Sequence, residues 1–171
     1  MINIKIQTKH MIFSIMCLAA LFQACSNKSE QQRPVASQQI AGTCVADTII
    51  YSVVIKNPNA QDTWTEQCLS QLNRHKLVDQ YFDAVYDHKA IAYSYANHRQ
   101  LSISEIKDLE KSDEFSRDKI AKLQFWESWY FDEQKQAMAK KVHAVLLAYE
   151  IHSDDGEIKG YKAAFYIKMK G

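Results

Sequence analysis

Two hydrophobic periods take turns along this chain. Over Val45–Ile55 (VADTIIYSVVI) β-branched and apolar residues crowd together, which predicts a strand, and Asn57-Pro58-Asn59 ends it. The period then lengthens. Thr63-Trp-Thr-Glu66 has the form of a capping box, with Trp64, Cys68, Leu69 and Leu72 at helical spacing around it. Leu77, Val78, Tyr81, Phe82, Val85 and Tyr86 make a steady stripe that predicts a second helix with one apolar face for the core. Ile91–Tyr95 reads as a short strand. Leu101–Ile106 opens a further helix, capped by Ser102 and Glu105. Lys107–Lys119 is charged and reads as exposed.

The last third returns to the strand period. Ile120–Phe131, Met138–Ile151 and Tyr161–Met169 predict three strands, the last two joined by a turn over His152–Gly160 around Asp155-Gly156. Strict alternation places Tyr161, Ala163, Phe165, Ile167 and Met169 on one face of the last strand, and Lys162, Ala164, Tyr166, Lys168 and Lys170 on the other. Met138, Val142, Val145, Leu146 and Tyr149 also share a helical face in an Ala- and Lys-rich segment, so periodicity alone leaves helix and strand open there. The expected fold is α+β: a C-terminal three-stranded antiparallel meander packed with two or three helices.

The N-terminal pattern differs from both. Lys5 and Lys9 precede an apolar run over Met11–Phe22, long enough for a signal-peptide core and too short to span a bilayer. Leu21-Phe22-Gln23-Ala24-Cys25 follows, similar to a bacterial lipoprotein signal. The expectation is a signal over residues 1–24 and a lipid on Cys25, which becomes the new N-terminus. Several acyl chains on one cysteine would hold the protein on a bilayer. Ser26–Thr43 is polar, contains Pro34 and has no apolar period, and reads as a disordered tether. Residues 44–171 would then form one domain. Ser26 carries no acidic inner-membrane retention cue, so an outer-membrane lipoprotein facing the periplasm is expected.

Charge and composition exclude more than they select. Lys and Arg number 21 against 20 Asp and Glu, with no basic run, so nothing points to nucleic acid. Four glycines are too few and too scattered for a phosphate loop or a dinucleotide fingerprint. Beyond the expected signal, the histidines His75, His88, His98, His143 and His152 have no metal-ligand spacing, and no serine sits in a nucleophile elbow. No metal, cofactor or catalytic residue is therefore assigned. Cys44 and Cys68 are an even pair that export would allow to form a disulfide.

The stretch Trp126–Met138 (WESWYFDEQKQAM) concentrates the aromatic residues around one carboxylate. On a strand, Phe125, Glu127, Trp129 and Phe131 share a face, and Trp126, Ser128 and Tyr130 share the other. Glu127 pairs with Lys140 or Lys141 across the hairpin on the ordinary reading. Buried and unpaired it would be a general acid, with a second carboxylate within about 5–10 Å. Exposed aromatics here would instead make a glycan platform.

The same residues carry a family resemblance. FWESWYFDEQKQAMAKKVHAVLLA resembles the core motif of the GldN/PorN family of the gliding-motility and type IX secretion machinery of Bacteroidetes, with Glu127, Trp129, Tyr130, Phe131, Asp132, Met138 and Val142 in register. DDGEIKGYKAAFYI is similar to that family's turn and final strand. Leu77–Phe82, Ile91-Ala-Tyr93 and Leu101–Ile106 echo its upstream elements, so the resemblance covers Leu77–Met169. Trp126, Ala144 and Leu147 depart from the family pattern. The resemblance implies a structural, non-enzymatic assembly role, and as partner a PorK/GldK-like lipoprotein or another secretion-ring subunit. It makes Glu127, Trp129, Phe131, Asp132 and Met138 the family-type core. Trp126, Ser128 and Tyr130 become the candidates for a partner-facing or second packing face. A small-ligand or glycan-binding envelope lipoprotein is the alternative.

Overall fold

The structure, a computed structural model, describes residues 42–170. The signal, Cys25 and nearly all of the tether lie outside those residues. The described chain is α+β, a five-stranded antiparallel sheet and three helices. Strand β1 (Thr43–Val54) leads to α1 (Thr63–Leu69) and α2 (Arg74–Tyr86). A two-residue β2 (Ala92–Tyr93), α3 (Ile103–Glu110) and a short 3-10 turn (Arg117–Lys119) follow. The meander is β3 (Ile120–Asp132), β4 (Ala137–His152) and β5 (Ile158–Lys168), and the sheet order is β1-β3-β4-β5-β2.

Most of the predicted elements form, and the exceptions have local causes. Helix α1 is capped by Asp62 and not by Thr63: the Asp62 carboxylate accepts from the Thr65 amide at 3.0 Å and from its hydroxyl at 2.7 Å. An ionised oxygen is the stronger acceptor, so the cap falls one residue earlier than the motif predicts. Glu66 then takes the Asn57 amide at 3.3 Å. At α3 the predicted box is present, Ser102 and Glu105 exchanging both bonds. Only Ala92 and Tyr93 of the expected Ile91–Tyr95 strand pair with β5, because the chain then turns at Ser94–Gln100. Within Lys107–Lys119, Phe115 is buried, edge-on to Tyr149 at 5.1 Å and tilted against Phe82 at 6.0 Å.

Met138–Ile151 is strand. Strand β4 lies between β3 and β5, so both of its edges are hydrogen-bonded. Val145, Leu147 and Tyr149 face the helices, while Ala144, Leu146 and Glu150 face the opposite way. Tertiary pairing outweighs the helix propensity of its alanines and lysines.

The core sits on the helix side. Val78, Phe82 and Val85 of α2, with Ile106 of α3 and Phe115, pack on Leu123, Val145, Leu147, Tyr149, Phe165 and Ile167. Each large side chain so buried contributes about 1.5–3 kcal/mol of transfer free energy.

Bulges decide what reaches the other face. Ala148 pairs with Ala163 and Leu147 with Phe165, leaving Ala164 as an extra residue. The simple alternation expected for β5 therefore breaks. Tyr161 and Ala163 lie on the open face, while Phe165 and Ile167 turn into the core. A second bulge, at His143, falls opposite Trp126 and Glu127.

Candidate functional site

The aromatic strand β3 sorts its residues by face. Glu127 lies on the helix side and is only 3% exposed. Tyr51 of β1 donates to its Oε1 at 3.0 Å, and the Trp129 indole donates to Oε2, also at 3.0 Å. Lys140 of β4, register partner of Trp129, lies 3.6 Å from Oε2 and 4.8 Å over the Trp129 ring. Its ammonium is held above the usual lysine range by its bond to the Tyr51 hydroxyl and then by the Glu127 carboxylate. Both carboxylate oxygens are thus occupied by protein donors, and none of the groups bonded to Glu127 is a carboxylate. Glu127 ties β1, β3 and β4 together; this arrangement offers no proton to a substrate.

The remaining members of the expected family core divide. Trp129 and Phe131 are half-buried on the Glu127 side of β3. Asp132 and Met138 are not core: they flank the β3–β4 turn. Asp132 accepts from the Lys135 amide at 3.0 Å to close that turn, and Met138 is 57% exposed. Only Met138 is left open to solvent; the Asp132 side chain, 17% exposed, is spent on the turn.

Of the partner-face candidates, Trp126 is half-buried on the open side, near Tyr166 (ring centroids 5.7 Å apart) and Tyr95 (6.4 Å). Tyr93 stacks on Tyr166 at 5.2 Å. Tyr130 is half-buried further along the strand. Ser128 cannot meet a partner, being 2% exposed beneath neighbouring side chains. Its hydroxyl donates to Asp47 Oδ1 at 3.0 Å and lies 2.6 Å from His143 Nε2. With its one proton given to Asp47, the serine can only accept from His143, so the imidazole is the donor. A nucleophilic serine needs the reverse arrangement, in which histidine takes the proton and the acid orients the histidine. These three residues form a structural lock over the β1 bulge.

Cys44 and Cys68 are both free and exposed. Cys44 starts β1, whereas Cys68 belongs to α1, whose last residues line a pocket with Ile55 just past the other end of β1. A twelve-residue strand at about 3.3 Å per residue separates the two ends far beyond disulfide reach. The expected bond does not form within this fold.

The sequence reading missed the two clefts of the open face. One, of about 760 Å³, runs over Ser52, Gln124, Leu146 and Ala163 and is walled by Tyr95 and by α3. The other, of about 790 Å³, lies at the far end of β4 between Lys56, Glu150, His152 and the β4–β5 turn. Tyr161 lines both. Lys122 sits 3.7 Å over its ring, and burial, then the nearby Glu150 carboxylate, push its phenol above the usual tyrosine range. No signal in the sequence marks Glu150, because its role depends on the partner of each strand and on the Ala164 bulge. Among the described residues, no three metal-ligating side chains gather.

The fold and this face thus define a small α+β domain whose sheet carries the main core on one face and an aromatic, cleft-bearing surface on the other. No protein-family model matches the sequence, and no curated protein matches it either.

Proposed function

We propose that this protein is an envelope lipoprotein, anchored through Cys25, with a structural or assembly role of the kind the GldN/PorN resemblance implies, and that it docks through the open face of its sheet. The observation supporting this is the division of labour on β3. Glu127, the one carboxylate in the aromatic cluster, is consumed by internal bonds, whereas Trp126 lies half-buried on the other face, over the buried Tyr166 and beside exposed Tyr95 and, across the strand pair, exposed Ile50. Such a face suits a partner better than a reaction. The partner of choice is another envelope lipoprotein, of the PorK/GldK type.

The test is affinity purification of the full chain from its native envelope, beside Trp126→Ala. Co-purification of a second lipoprotein with the wild type and its loss with Trp126→Ala is the expected result. Recovery of no envelope partner by the wild type would sink the assembly reading. A second reading, a ligand- or glycan-binding lipoprotein, is favoured by the two clefts on the same face.

A further inference from the structure

We propose that two copies of this chain pair antiparallel through the free edge of β1, joining their sheets into one. The inference goes beyond the docking role given to Trp126 and does not depend on it. Among the described residues, β1 pairs with β3 alone, so its other edge carries backbone groups without a partner. The two edges of the sheet are treated differently. At the β2 edge only Ala92 and Tyr93 extend the ladder, and the chain closes over them: Tyr93 bridges to Gln100, and Leu101 donates to the Ala92 carbonyl at 2.8 Å. At the β1 edge a twelve-residue strand is left open.

That open edge is itself divided. Its first half is bent by a bulge: Ala46 pairs with Trp129 and Ile49 with Glu127, so Asp47 and Thr48 oppose a single residue, and Thr48 has a φ of 52°. Its second half, Ile49–Val54, keeps an unbroken register with β3. Natural edge strands are blunted by charge, by proline or by a bulge. Ile49–Val54 has none of these. The Ile55 amide donates to the Ala121 carbonyl at 2.8 Å, which fixes the direction of its neighbours. Ladder bonds alternate along an antiparallel strand, so Ile49, Tyr51 and Val53 turn their backbone groups toward β3, while Ile50, Ser52 and Val54 turn theirs outward. The outward amides and carbonyls stand free in a row.

The order of those residues selects a second copy as the occupant. A two-fold axis through Ser52 sets Ser52 opposite itself and Ile50 opposite Val54 of the second copy, and every outward group bonds, about six ladder bonds in all. Moving the axis to Tyr51 brings in Thr48, which is bent out of strand geometry, and moving it to Val53 brings in Lys56, beyond the end of the strand. The axis at Ser52 uses regular strand residues alone. In that register Ile50, 53% exposed, covers Val54 on the open face, and Tyr51 meets Val53, 38% exposed, on the other. The two Ser52 hydroxyls can bond each other. The run is thus complementary to itself, apolar against apolar and hydroxyl against hydroxyl, whereas an acidic or basic peptide would find no counter-charge along it. On the lipoprotein reading, β1 also follows directly on the tether, so copies anchored in one bilayer hold this edge at a raised effective concentration.

The experiment is cysteine cross-linking joined to sedimentation, on the full chain in detergent. Ser52→Cys and Ile50→Cys are each placed in a chain carrying Cys44→Ser and Cys68→Ser, with that chain alone as the baseline. Paired through Ser52, the two Cys substitutions at position 52 have Cα atoms about 5.5 Å apart, within disulfide reach. Those at position 50 lie four residues out of step, about 13 Å apart along the strands, and out of reach. Under mild oxidation Ser52→Cys is expected to link about tenfold faster than Ile50→Cys or more. The wild type at about 100 μM is expected to sediment as a dimer, and Ser52→Pro as a monomer with an unchanged circular dichroism spectrum, since proline there removes an outward amide and no bond to β3. A wild type that stays monomeric overturns the proposal, including one that captures a different extended chain at this edge. So does Ile50→Cys linking as fast as Ser52→Cys, or a folded Ser52→Pro that remains dimeric. If Ser52→Pro does not fold, the ratio of the two cross-linking rates decides. Trp126→Ala is expected to leave the dimer intact, so this reading and the docking reading can fail separately.

Discussion

Removing the Glu127 carboxylate distinguishes a structural from a chemical role by the sign of the stability change. In the fold it accepts from Tyr51 and Trp129 and pairs with Lys140. Hydrogen bonds to a charged group contribute about 1.5–3 kcal/mol each. Tyr51 and Trp129 are only half-buried, so their donors regain some water when the acceptor is lost, and Lys140, 48% exposed, adds little after solvent screening. The expected cost is about 3 kcal/mol for Glu127→Ala. For Glu127→Gln, which keeps a neutral acceptor for one donor, it is about 1 kcal/mol. With a urea slope of about 2 kcal/mol/M, the unfolding midpoints fall by about 1.5 M and 0.5 M. Tyr51→Phe combined with Glu127→Gln should couple by about 0.5 kcal/mol or more in a double-mutant cycle. A Glu127→Ala protein as stable as the wild type, or more stable, would refute the reasoning, because a carboxylate held in strain for chemistry stabilises the fold when removed.

Other consequences are open to direct measurement. Arg117 bonds Glu110 at 2.6 Å and Asp79 at 2.8 Å and lies 4.3 Å over the Phe82 ring. Arg117→Ala should cost about 2 kcal/mol in thermal unfolding, and Arg117→Lys should recover less than half, lacking the planar fork. The Arg99 guanidinium and then the Ser102 amide hold the Glu105 carboxyl down at about 2, against its ordinary 4.5. A depressed carboxyl stabilises the fold above its unfolded pKa and loses that contribution as pH falls through its folded value. Glu105→Gln should therefore lower the melting temperature at neutral pH, and the gap should close between pH 4.5 and about 2; a gap that persists at the acid end would count against the assignment. Cys44 and Cys68, exposed and free, should each react with a maleimide in the native protein, and Cys44→Ser and Cys68→Ser should each remove one labelled site by mass spectrometry.

The parts of the fold legible in the sequence are those set by local chemistry. The α2 stripe, the Ser102–Glu105 box, β3 and β5 depend on residues close to one another in sequence, and they form as the pattern predicts, whereas the pattern left helix and strand open for β4, which is strand with β3 and β5 paired along its edges. The facing of Glu127 away from Trp126 was also readable, since the extra residue at that register shift, His143, belongs to β4 and leaves the alternation of β3 intact. The rest depends on pairing between distant strands. A single inserted residue, Ala164, carries Tyr161 away from the face of Phe165, and no periodicity argument marks where a bulge falls. Phe115 looked exposed because its neighbours are charged; it is buried because Phe82 and Tyr149 converge on it from distant parts of the chain. Glu150 passed unremarked for the same reason, its Lys56 partner being 94 residues away.

The order β1-β3-β4-β5-β2 has a kinetic consequence. The two meander hairpins close over short turns, whereas β1 must wait for β3, which begins 66 positions after β1 ends (54 to 120). At about 5–20 residues per second of synthesis, that is a wait of roughly 3–13 s. For that interval Ile49–Val54, an uncharged run with neither proline nor glycine, has no partner strand in its own chain. The first strand made thus stays unpaired longer than any turn in the meander requires, and a nascent chain of this fold is most prone to aggregation before β3 has emerged.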